Sequence, residues 1–404
     1  MDHSNAIVDV EQLKLPYKAN FFLSMISKAE VGSILIKLPN EKMAYYSGSK
    51  PGPKVDLWIK NLEVINRLVN SSDIGLAESF RDDLIESSDL TALVLWACLN
   101  QDNLEKAFQG TFWGMIFYKL RHLLRFNSKN GSKKNIEAHY DLGNSFYKLW
   151  LDPSMSYSSA LFNTINDDLM TAQSNKYKRI LEGLNLKEGD HVLEIGCGWG
   201  ALALMAAKEF KVKVTCLTLS NEQFLFVQNL VKVEGLENQI EVKICDYRDE
   251  TDLYDHIVSI EMIEAVGEQY WDTYFQTLNN RVKPGGRIHI QSITIIDELF
   301  ESYRSGTDFI QQYIFPGGMM LTPNNIKTKA FANELKVLDY FEFGLDYAET
   351  LKRWKIAFNL HLEEVKALGF DDKFIKIWNF YFAYCEAGFL SQRINVAQVL
   401  MTKN

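Results

Sequence analysis

Cysteine is scarce in this chain. The five residues Cys98, Cys197, Cys216, Cys245 and Cys385 are odd in number and scattered over 404 positions. They offer neither a disulfide framework nor paired metal-ligand spacing, and a reducing compartment is expected. The seven histidines do not cluster either, so no metal is expected. An excess of basic charge is also missing. Lys and Arg total 43 against 52 Asp and Glu, a formal net charge of -9. General attraction to nucleic acid is thereby disfavoured, while a local basic patch could still dock. No apolar run, Ala92–Leu99 included, approaches the ~20 residues needed to span a bilayer. The opening Met1-Asp2-His3-Ser4-Asn5 has no basic stretch followed by an apolar one, so no signal peptide is expected. Repeats and low-complexity tracts are absent. What is present, 47% hydrophobic and 24% charged residues, suits a globular protein of more than one domain.

The most informative stretch is His191-Val192-Leu193-Glu194-Ile195-Gly196-Cys197-Gly198-Trp199-Gly200. A strand-like apolar run ends in an acid and three alternating glycines, and a helical segment follows over Ala201–Phe210. Such a turn lets a ligand approach the backbone beside the positive end of a helix. The glycine spacing alone does not separate this loop from a dinucleotide-binding one. The acid two residues before the first glycine does, and it resembles motif I of the S-adenosylmethionine (SAM)-dependent methyltransferases. An NAD enzyme is the weakest rival, because the acid expected about 20 residues past the glycines is missing.

Along the chain, residues 30–100 read as a small α+β unit, with strands over Val31–Leu38 and Val55–Leu62. Helical spacing follows over Leu62–Val69, Leu76–Asp83 and Leu90–Leu99. Leu104–Phe126 reads as a helix whose second half carries Lys119, Arg121, His122 and Arg125. Such a helix lies either on an anionic membrane surface or in a core with a solvated end. The polar stretch 127–135 reads as a linker. The expected domains are therefore 1–126, α+β and lipid-associated, and 136–404, catalytic. From 136 onward helices and strands alternate, with strands over 191–195, 212–217, 240–245, 256–260 and 287–294. That pattern implies a mostly parallel sheet with helices on both faces and a ligand at the carboxyl ends of its strands. Two helical stretches, about 347–368 and 371–391, and a strand-like Ile394–Met401 close the chain.

Several stretches together resemble the cyclopropane-fatty-acyl-phospholipid synthase family. They are His139 to Asn144, Leu151-Asp152-Pro153-Ser154-Met155-Ser156-Tyr157-Ser158, Glu194 to Gly200, Thr218 to Gln223, Asp246-Tyr247-Arg248-Asp249 and Tyr313 to Gly318. The resemblance implies a class I SAM-dependent methyltransferase (Rossmann-like) α/β domain beside a smaller α+β N-terminal domain. It implies SAM as cofactor and addition of a methylene across a cis double bond of phospholipid acyl chains. Tyr157 and Ser158 would lie in the cofactor site, where an aromatic face suits a sulfonium. Glu194 would face the amino-acid end of SAM, with Gly196, Cys197 and Gly198 leaving it room. Thr218, Leu219, Ser220 and Gln223 would stand near the ribose. Asp246 and Tyr247 would meet the adenine, although Asp246 alone also reads as a turn or helix cap.

The family holds a bicarbonate ion as base, and the matching residues are Glu264, Gln291 and Tyr347, with backbone contacts at Ser159 and Ile293. Gln291 stands where the family usually has histidine, Ser159 where many members have cysteine, and Ala265 where histidine is common. Cys385 matches a cysteine sometimes assigned as active, but it reads rather as a buried structural thiol. The expected activity is cyclopropane synthesis on unsaturated phospholipid. The rivals are a methyl- or methylene-branching enzyme of the same fold, which Gln291 favours, and a catalytically silent lipid-binding protein. Expected partners are a phospholipid membrane surface met peripherally, an unsaturated acyl lipid substrate and a second copy in a homodimer, with no nucleic acid. The expected location is the cytoplasm, at the inner face of the membrane.

Overall fold

The computed structural model describes residues 17–108 and 142–403. The basic stretch Lys119–Arg125, the linker 127–135 and the motif residues His139–Asp141 lie outside the described residues. The chain forms two compact units that are interleaved along the sequence.

The first unit gathers Met1–Leu124, Ser305–Ile314 and Leu362–Arg393. Its strands are β1 (Val31–Lys37), β2 (Met43–Ser47), β3 (Lys50–Ile59) and β4 (Ile85–Glu86), in sheet order β2-β1-β3-β4. Alternation puts Ile34 and Ile36 of β1 inward, against Phe22, Leu23, Ile65 and Trp96 from the helices. β3 runs through Pro51-Gly52-Pro53, where the sequence suggested a break. The two expected helices beyond it are one, Glu63–Arg81, bent at Ser72 with φ 45° and ψ -119°. The helix Asp372–Leu390 packs on Glu63–Arg81 and on Leu90–Phe108. This late stretch, read from the sequence as part of a continuous catalytic domain, thus belongs to the first unit.

The second unit gathers Arg125–Arg304, Phe315–His361 and Ile394–Asn404. Its strands are β5 (His191–Ile195), β6 (Lys213–Thr218), β7 (Ile240–Ile244), β8 (Tyr254–Ile260), β9 (Val282–Ile295), β10 (Leu335–Glu342) and β11 (Ile394–Lys403). The sheet order is β10-β11-β9-β8-β5-β6-β7. β11 runs antiparallel to both of its neighbours, and all the other pairings are parallel. Strands buried on both faces, such as Val192–Ile195, are continuous apolar runs, as a covered parallel sheet requires. The strand order reverses between β5 and β8, which opens a crevice at their carboxyl ends. The glycine loop leaves β5 there, and Glu261 to Glu264 leave β8 beside it. β10 was not foreseen, because Leu335–Glu342 alternates weakly and forms a sheet edge.

Candidate active site

An aromatic box stands at the start of the site. In the turn after Leu151, Asp152 accepts hydrogen bonds from Ser154 N at 2.9 Å and Ser156 N at 3.3 Å, which fixes the strand-like exit to Tyr157. The Tyr157 ring lies 5.5 Å from Tyr147, 5.4 Å from Trp150, 5.4 Å from Trp354 and 6.3 Å from Phe315. Cations are attracted to such ring faces within about 6 Å. The neighbouring Ser158 is fixed from below. Its hydroxyl accepts from the Lys176 ammonium, and its carbonyl accepts from Gln173 Nε2 at 2.9 Å. Lys176 is fully buried, and desolvation lowers its pKa to about 7, against the pull of Glu261, Asp152 and Glu194.

The glycine loop borders the box. Gly196 and Gly198 have φ of 82° and 51°, a region that side chains disfavour. A Cβ built on Gly198 would meet nothing within 4 Å among the described residues, which leave that face of the loop open. Cys197 is buried, and its backbone N–H and that of Gly196 both donate to Leu217 O at 3.0 Å. Glu194 is buried too, accepts from Cys216 Sγ at 3.7 Å, and is pushed up to about 8 by desolvation. At the end of β6, Thr218 Oγ1 donates to Gln223 Oε1 at 2.8 Å, and Ser220 caps the next helix by accepting from Gln223 N. Leu219 lies half-buried between them. The structure gives two expected adenine residues other duties. Asp246 pairs with Arg248 through both carboxylate oxygens, at 2.8 and 2.5 Å. Tyr247 packs its ring in the core, 5.7 Å from Tyr274.

A carboxylate cluster completes the site, and its arrangement differs from the expectation. Gln291 Nε2 donates at 2.7 Å, Tyr347 Oη at 2.7 Å and Ser159 N at 3.0 Å, but all three donate to Glu261. Glu264 accepts from Ile293 N at 2.5 Å and Ser292 Oγ at 3.0 Å, and its other oxygen, Oε2, has no hydrogen-bond partner among the described residues. Burial first, and then the charge of Glu261, raise the Glu264 pKa to about 8. Glu261 follows β8 directly and takes φ 48°, uncommon for a residue with a side chain. β9 holds the other half of the cluster, because Gln291 lies in register with Ile260 on one side and Gln398 on the other. Gln398 Nε2 donates to Gln291 Oε1 at 3.1 Å, which aims the Gln291 amide N–H groups at Glu261.

The sequence named Gln291, Tyr347 and Ser159 as holding, with Glu264, a bicarbonate ion; in the structure these three donate to Glu261. Sequence reading missed Glu261, Lys176, Gln398 and the tryptophans of the box. The pair Glu261-Met262-Ile263-Glu264, two acids three apart at the end of a buried strand, was the available signal. Cys385 belongs to another unit than this cluster. It lies on Asp372–Leu390 in the first unit, and burial pushes its thiol well above the usual range. The residues fit SAM, because the aromatic box, the open glycine loop and the polar end of β6 offer complementary surfaces. They do not fit bicarbonate, because the three donors that would hold it already serve a carboxylate of the chain. Among the described residues no His, Cys, Asp and Glu group could hold a metal ion.

Fold and site together define a class I SAM-dependent methyltransferase. A family model described as mycolic acid cyclopropane synthetase matches residues 127–399, and the chain belongs to that family. The tuberculostearic acid methyltransferase of Mycobacterium tuberculosis is 38% identical over 280 residues, covering 67% of this chain and 65% of that protein. The cyclopropane-fatty-acyl-phospholipid synthase of Escherichia coli K12 is 31% identical over 357 residues, 88% of this chain and 89% of that protein. Among solved structures, a mycolic acid cyclopropane synthase complexed with SAH and CTAB superposes with a TM-score of 0.64 at 29% identity. It covers 70% of this chain and all of that one.

Proposed function

We propose that the protein transfers the methyl carbon of SAM to a cis double bond in an unsaturated acyl chain of a phospholipid and closes a cyclopropane ring. One observation carries this reading: a part-buried, hydrogen-bonded carboxylate cluster shares a unit with an aromatic box and an open glycine loop. When bound, SAM supplies an electrophilic methyl group on a positively charged sulfur. Tyr157 and the rings around it offer that charge its faces, and the glycine loop and β6 end take the rest of the molecule. The carboxylate cluster serves the proton that must leave when a methylated alkene becomes a ring. The reading includes peripheral contact with a membrane at its cytoplasmic face, since phospholipid acyl chains reside there. Among the described residues no helix is long and apolar enough to cross a bilayer.

A methyl- or methylene-branched product is the second reading. Gln291 favours it, because a neutral amide leaves the cluster without the positive charge that histidine could carry. The test is to incubate the protein with SAM and vesicles of phospholipid bearing monounsaturated chains. The lipids are then analysed by mass and NMR. Ring proton signals are expected; vinylidene signals would favour the second reading, and unchanged lipid would refute both.

A further inference from the structure

We propose that Glu261 supplies from the chain itself the base that closes the ring, in the place where an exogenous bicarbonate would otherwise be held. This deepens the proposed function and rests on it. The geometry has three parts. First, the Tyr347 hydroxyl, the Gln291 amide and the Ser159 N–H converge on one anion, and that anion is the Glu261 carboxylate. A bicarbonate ion in the same place would be donor-starved and would face a like charge. Second, Glu261 holds φ 48°, where glycine would be unstrained. Residues kept in such backbone regions cluster at functional sites, where the surrounding structure holds them. Third, Glu261 stands directly after β8, at the carboxyl end of the strand where the crevice opens, and is partly buried as a residue.

The surrounding charges divide the labour. Lys176, Glu264 and Tyr347 are the titratable groups that act on Glu261. Glu264 has fewer donors and, among the described residues, an unpartnered oxygen, and its carboxyl holds its proton near neutrality. Burial raises the Glu261 pKa, and its three donors and nearby Lys176 oppose that rise, so the hydrogen bonds favour a charge on Glu261 over one on Glu264. The step balances as follows. The alkene π pair forms the bond to the methyl carbon, and the carbon–sulfur pair stays on sulfur. One C–H pair of the new methyl group then closes the ring onto the cationic carbon, and its proton goes to a Glu261 oxygen. Solvent later takes that proton, so no co-reactant is consumed.

The experiment compares wild type, Glu261→Gln and Glu261→Gly in carbon-dioxide-stripped buffer with and without added bicarbonate. Glycine suits the backbone at 261, so that variant is expected to fold, and thermal melts check both. Wild-type turnover is expected to be indifferent to bicarbonate. Glu261→Gln is expected to lose at least a hundredfold in kcat, the low end for a general base. Its SAM affinity by calorimetry should stay within threefold of wild type, and bicarbonate should not rescue it. Glu261→Gly is expected to be inactive until bicarbonate is added. A wild type that loses tenfold on depletion, or a Glu261→Gln within threefold of wild type, would overturn the proposal. Binding of 13C-bicarbonate by NMR reads the same claim without turnover: Glu261→Gly should bind it and wild type should not. Equal binding by both would overturn it. A wild type that makes no lipid product but shows that binding difference would refute the proposed substrate and leave the Glu261 assignment standing.

Discussion

Tyr347 shows how the site tunes a single residue. Its phenol donates to Glu261 Oε2 at 2.7 Å. That bond favours the charged carboxylate and opposes the desolvation that raises the Glu261 pKa. Tyr347→Phe removes it, so the Glu261 pKa must rise further. The ionised fraction at a given pH then falls, and the acid limb of the kcat profile moves to higher pH. Hydrogen bonds to charged groups are worth about 1.5–3 kcal/mol, so kcat near neutrality is expected to drop about tenfold or more, with SAM affinity unchanged. A drop in kcat with an unmoved acid limb would show that Tyr347 acts otherwise. At this scale the sequence was informative about residue types and misleading about partners. Glu264 carries the motif match, yet Glu261, three residues earlier, takes the donors. An acid after a strand reads as solvated; only the fold reveals that β9 and the helix beginning at Gly344 close over it.

The elements of the second unit were largely legible. Alternation of helical and strand patterns between 169 and 295 placed β5, the helix Ala201–Phe210, β6, β7 and β8 within a residue or two. β5, β6 and β8 are buried on both sides, so their apolar runs are strong signals. The weak signals were edge or composite elements: β2, β10, the bent helix Glu63–Arg81, and a five-residue π-helical turn at Ile310–Ile314. Their patterns depend on neighbours that local periodicity does not record. The glycine loop belongs to this scale, because its function lies in the backbone path between β5 and the following helix. Gly198→Val would put a branched side chain into the open face of the loop at φ 51°. Left-handed backbone costs a side-chain-bearing residue roughly 1–2 kcal/mol, and the valine also occupies the space a ligand needs. SAM affinity by calorimetry is expected to fall at least tenfold in a variant with wild-type circular dichroism. Unchanged affinity would remove the loop from the cofactor site.

For the whole molecule, the two units are built from interleaved segments. Helix Asp372–Leu390, late in the chain, completes the helical layer of the first unit. Linear reading could not show this, since nothing in an amphipathic helix names its partner. What joins fold to activity is the fate of the transferred carbon. The most direct measurement uses SAM with a trideuterated methyl group and monounsaturated phospholipid vesicles, followed by mass analysis of the acyl chains. Retention of two of the three deuterium atoms in the lipid is expected, because a base must take one from the new methyl group. Retention of all three, or no label in the lipid, would contradict methyl transfer followed by deprotonation at this carboxylate cluster.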